Sequence, residues 1–217
     1  MRTILSAVAM LAIGLTTANA SDWNTYEVTI TNATKSQVIT PPLITLHRNK
    51  VSVFAVGETA SDGLSMLAET GDNQVLYSEI NNAHGVFDTV ASSDMIPPGE
   101  SLSLTISGPK KAHLSVAAML ATTNDAFVGV NGVRISPKNL TIAARAYDAG
   151  SEMNNELCSH IPGPPCAPDS GNASTGGGEG FISIHNGVHG IGDIDASSLD
   201  WRGPVALVSI KRVKRKD

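Results

Sequence analysis

The sequence predicts an all-β domain, a two-sheet antiparallel sandwich carrying one or two short helices. Three observations predict it. Several segments alternate apolar and polar residues with period two, among them 26–32 (Tyr-Glu-Val-Thr-Ile-Thr-Asn) and 100–107 (Glu-Ser-Leu-Ser-Leu-Thr-Ile-Ser). Gly, Pro, Ser and Asn punctuate the chain between such segments, with Pro97-Pro98-Gly99 the firmest turn. Helical spacing of apolar residues is confined to a short stretch after Ser61. About eight strands, several with one polar face, are the material of a sandwich and not of a helix bundle. Aromatic residues make up 4% of the chain, so the core must rest on Val, Ile, Leu, Ala and Met.

The elements follow in order. Segment 26–32 is a half-buried strand. Pro41-Pro42 breaks pairing, and 43–47 is the next strand; 51–56 is expected to be another, ending at Gly57. Ser61 can cap a helix whose Leu64, Leu67 and Ala68 share one face. Gly71 stops it, and Asp72 can cap a second helix through Val75, Leu76 and Ile80. Segment 86–90 is a weaker strand. Segment 100–107 aims Leu102, Leu104 and Ile106 inward. Segment 113–120 is apolar on both faces and reads as a central strand. Segments 127–130 and 140–146 are further strands. Residues 151–180 form a long loop rich in Gly, Pro, Ser and Asn, a length that usually carries function. Segments 181–185 and 205–213 close the domain.

Residues 1–20 have the layout of a secretory signal peptide. Arg2 supplies the positive charge, 4–15 the apolar run, and Ala18-Asn19-Ala20 the small-residue cleavage site. The run is too short for a membrane span. The expected domain is therefore 21–217, exported to the periplasm, the cell surface or the medium. The formal net charge is −5, which makes nucleic acid a poor partner. Positive charge gathers instead in Lys211-Arg212-Val213-Lys214-Arg215-Lys216. That tail either touches an anionic surface or is the solvated end of the last strand. Cys158 and Cys166 are expected to pair in an oxidising compartment, stapling a short proline-rich loop.

Two groups of residues can carry chemistry. Asp125 follows one strand, and Asp148 and Glu152 follow another. Loops cluster at the ends of a sandwich, and three converging carboxylates suit a hard cation such as calcium. The alternative is turn capping. His185 and His189 lie in His-Asn-Gly-Val-His-Gly, where they either ligate copper or zinc or fasten a glycine-rich turn. Nucleophile-elbow, zinc-protease and nucleotide-loop patterns are absent, so an extracytoplasmic hydrolase is the third reading.

Segments 123–129 (Thr-Asn-Asp-Ala-Phe-Val-Gly), 146–152 (Ala-Tyr-Asp-Ala-Gly-Ser-Glu) and 180–190 (Gly-Phe-Ile-Ser-Ile-His-Asn-Gly-Val-His-Gly) resemble bacterial proteins with a spondin N-terminal domain. Segments 26–32, 41–43 and 205–213 fit the start and end of that domain. The resemblance implies a C2-like β-sandwich and one calcium ion held at a loop end by Asp125, Asp148 and Glu152. The animal members have Asp where this chain has Glu152. It also implies a non-catalytic surface or adhesion module, whose partner would be an unknown protein or surface polymer.

Overall fold

The computed structural model describes residues 23–136, 138–166 and 176–213. The expected signal peptide, and the tail beyond Val213, lie outside them.

Among the described residues, nine strands and three short α-helices make up the fold: β1 (Trp23–Asn32), β2 (Leu43–His47), α1 (Asp62–Thr70), α2 (Gln74–Asn81), β3 (Val86–Ala91), β4 (Ser101–Pro109), β5 (His113–Met119), β6 (Ala126–Arg134), β7 (Leu140–Asp148), β8 (Ser183–Ile184), α3 (Ala196–Leu199) and β9 (Ala206–Arg212). The strands run in the order β3-β2-β5-β6-β7-β9-β1-β4, with β8 added beside β7, and every pairing is antiparallel. The result is a nearly closed sandwich. β7 belongs to both halves: residues 140–144 pair with β9, and residues 145–148 pair with β6. The open seam lies between β3 and β4, where the Ser107 N–H donates to Asp88 Oδ2 at 2.8 Å.

The strand pattern sorts residues into two cores. Leu114, Val116 and Ala118 of β5 point between the halves, where they meet Val28, Ile30, Ile44, Ile106, Val128 and Val208. Ala117 and Phe127 point the other way, under Leu64, Leu67 and Leu76 of the two helices. β5 is therefore covered on both faces, and every residue after His113 is buried. Ser61 caps α1, accepting from the Leu64 N–H at 3.2 Å, and Gly71 ends it at φ 77°. The cap of α2 falls one residue later than expected, on Asn73, although Asp72 Oδ1 still accepts the Gln74 N–H at 2.8 Å.

One expected strand does not form. Residues 51–56 lie across β6 as irregular chain, because β3 already occupies the edge of β2 and leaves this segment no strand to pair with. Side chains replace the ladder: Asn131 Oδ1 accepts the Val53 N–H at 3.1 Å, and Ser52 Oγ donates to the Phe54 carbonyl at 2.6 Å. The expected strand at 181–185 shrinks to the two residues of β8.

Candidate functional site

The site lies where β5 and β7 end and β6 begins. Asp125 precedes the first residue of β6, and Ala126 pairs with Asp148 at the last residue of β7. The Ala149 N–H donates to the Asp125 carbonyl at 3.1 Å, which ties the two loops by backbone. Gly150, at φ 68°, then turns the chain tightly against the Phe181 backbone, a position where a Cβ would collide. That turn brings Glu152 back toward Asp125. Asp125, Asp148 and Glu152 are all buried, Asp125 completely.

Protein donors hold three of the four carboxylate oxygens of Asp125 and Asp148. Asp125 Oδ2 accepts from the Ser151 N–H at 2.8 Å, the Glu152 N–H at 3.0 Å and the Ser151 hydroxyl at 3.3 Å. Asp125 Oδ1 is buried and has no hydrogen-bond partner among the described residues. Asp148 Oδ1 accepts from the Gly150 N–H at 2.7 Å, and Oδ2 from the Asn154 amide at 2.6 Å. Burial, then the neighbouring Asp148 charge, pushes the Asp125 carboxyl up to about 7 against the lowering effect of its hydrogen bonds. Asp148 is also raised, chiefly by burial. An acidic side chain so placed is either protonated or compensated by a cation.

The donor set is oxygen only, which fits calcium and not a soft metal. Among the described residues no group of three or more His, Cys, Asp and Glu side chains is already arranged as a metal site. The hydrogen bonds just described explain this in part, since Asp125 Oδ2 and both Asp148 oxygens are turned onto protein donors.

The histidines sit next door. Asp148, Asn154, Glu156, Glu179, His185 and His189 line one cleft of about 380 Å³. The Gly187 N–H donates to His185 Nδ1 at 3.0 Å, so this ring fastens its own turn. The ring lies 5.2 Å from Trp201, and burial together with His189 pushes its pKa down to about 4. The His189 side chain is 57% exposed, with Nδ1 3.6 Å from Glu156 Oε1.

Glu156 is the residue that sequence reasoning missed. It is buried at φ 57°, and its carboxylate accepts the N–H groups of His189 at 2.5 Å and Ile191 at 2.8 Å. Its own N–H donates to Asn124 Oδ1 at 3.1 Å, which links the histidine loop to the loop of Asp125. No spacing rule marks it; it sits four residues past Glu152 in a segment without periodicity. Cys158 and Cys166 form a disulfide, with Cα atoms 5.0 Å apart, beside the small cluster of Ile161, Val188, Ile194 and Leu199.

The Spondin_N family model matches residues 30–157. The chain belongs to the Spondin_N family. A comparison with curated proteins finds no match. The Spondin_N match takes in Asp125, Asp148 and Glu152 but stops before His185, His189 and β9. Spondin_N is an extracellular domain type, consistent with export. No helix among the described residues is long and apolar enough to cross a membrane.

Proposed function

We propose that this Spondin_N protein is an exported, calcium-stabilised interaction module that performs no catalysis. Asp125, Asp148 and Glu152 bind the ion and lock the loop before β6 to the loop after β7. The surface formed by those loops then meets a protein or polymer partner at or near the cell surface. The observation that carries this reading is the Asp125 carboxyl, wholly buried, with one oxygen unpartnered among the described residues and no cationic side chain among the groups that shift its pKa. Calcium would supply the missing positive charge, and backbone carbonyls and water would complete its six to eight ligands at about 2.3–2.6 Å. The test is thermal melting of chelator-treated protein against added calcium. Expected is a rise that Asp148→Ala abolishes; unchanged melting at millimolar calcium overturns the reading.

A second reading, copper or zinc binding by His185 and His189, is favoured by their shared cleft with Asp148, Glu156 and Glu179. A melting shift with either metal that His189→Ala removes would support it.

A further inference from the structure

The strands that carry the carboxylates to one end of the sandwich carry basic residues to the other. β6 runs from Ala126 to Arg134, so Arg134 lies roughly 25 Å from the Asp125 loop. There it pairs with His113 at the start of β5, just past Lys110 and Lys111 in the turn from β4. Arg212, at the end of β9, pairs with Tyr26 on β1. Tyr26, Lys110, Lys111, Arg134 and Arg212 line a cleft of about 570 Å³ whose lining includes no Asp or Glu. A second hollow of about 430 Å³ shares Lys111 and Arg134 and adds Arg48 and Phe87. Lys111, Arg134 and Arg212 are exposed, while Tyr26 is 3% exposed and forms the floor. The nearest acid on β1, Glu27, is already paired with Lys211 at 2.7 Å.

Apolar groups stand beside these cations. Trp23 is 49% exposed and meets Phe87 edge-on at 6.0 Å; Arg48 lies 5.8 Å over the same Phe87 ring. Val213, held by its N–H to the Thr25 carbonyl, is also exposed. A sulfated or acidic polysaccharide would need only the cations. A lipid interface uses both, since cations meet headgroup phosphate and tryptophan rests at headgroup level.

We infer that this basic end docks on anionic phospholipid, with a headgroup phosphate in the Tyr26–Arg134–Arg212 cleft and Trp23 at the interface. The remaining acidic body is then repelled from the surface, so docking orients the carboxylate end outward. The surface stands at the far end from the calcium site, and docking proceeds in chelator.

The test is cosedimentation of the protein, in chelator and low salt, with phosphatidylcholine vesicles and with vesicles half phosphatidylglycerol. Expected is binding to the anionic vesicles alone, weakened by high salt. Each cation near such a surface contributes about fivefold, so Lys111→Gln/Arg134→Gln/Arg212→Gln together should weaken binding roughly a hundredfold. All three are exposed, and an unchanged melting curve verifies the fold. Arg145→Gln/Arg202→Gln, remote from this end, should leave binding intact. Binding should also blue-shift tryptophan fluorescence in Trp201→Phe but not in Trp23→Phe. The inference is overturned by equal binding to neutral vesicles, by a calcium requirement, or by full binding of the triple variant. Loss confined to Lys214→Gln/Arg215→Gln/Lys216→Gln overturns it too, as does binding to soluble dextran sulfate with none to vesicles.

Discussion

Replacing Asp125 with Asn should stabilise the calcium-free protein, and by an amount that depends on pH. In the unfolded chain this carboxyl titrates near 3.8; in the folded chain burial and Asp148 raise it to about 7. Between those values the native state holds a proton that the unfolded state has released. Native stability therefore falls as pH rises through that window, and the gap corresponds to about 4 kcal/mol once both states are ionised. Asn keeps the carbonyl oxygen that accepts from Ser151 and Glu152, and turns an NH2 toward the side now occupied by the unpartnered oxygen. His185 works in the opposite sense. Its folded pKa is depressed to about 4, so its contribution is lost as pH falls below the ordinary 6.5. The total pH profile mixes the two, and the informative quantity is Asp125→Asn minus wild type at each pH. Urea denaturation in chelator should give a difference near zero at pH 4 that rises to about 4 kcal/mol at pH 8, or roughly 10 °C in melting temperature. Calcium should narrow the gap, since a hundredfold excess over Kd stabilises only the wild type, by about 2.7 kcal/mol. A variant less stable than wild type in chelator at pH 8, or a difference flat in pH, would refute the reasoning.

Four further outcomes follow from the packing. Cys166→Ser opens a short loop and should cost about 2.5 kcal/mol by loop-closure entropy, read as a lower urea midpoint that reductant reproduces in the wild type. Asn32→Ala should cost about 3 kcal/mol, because Asn32 Nδ2 donates to the Gln37 and Ile96 carbonyls at 2.7 and 2.8 Å while Oδ1 accepts from the Thr34 N–H and hydroxyl. The same burial leaves the Asn32-Ala33-Thr34 glycosylation pattern out of reach of modification, and mass spectrometry of protein from a glycosylating host should find Asn32 bare. Gly129→Ala would set a Cβ 2.6 Å from Tyr147 Cδ2 and 2.7 Å from Phe54 Cζ, a loss of about 1–3 kcal/mol by calorimetry.

Most strands were legible because their side chains alternate or, in β5, because both faces are apolar. Segment 51–56 carries the same signal and fails for a reason no local pattern contains: strand formation needs a free edge, and the edge of β2 belongs to β3. The two acidic loops could be placed at strand ends from spacing. Their convergence could not, since it depends on the β6–β7 register and on Gly150 turning beneath Phe181. Glu156 was hidden for the same kind of reason. Its role is to hold N–H groups more than thirty residues away, and its sequence neighbours say nothing of them.

The position of β9 between β7 and β1 sets a timetable for the chain. β1 leaves synthesis early and finds β4 soon after, but its second edge waits until residues 206–212 have appeared. Until then β7 also has nothing beside its first half. Two open edges more than a hundred residues apart are closed by one late strand, so a truncated or stalled chain exposes both at once. Such a topology favours slow, all-or-none completion. It also leaves unpaired strand edges open to wrong pairing until residues 206–212 arrive.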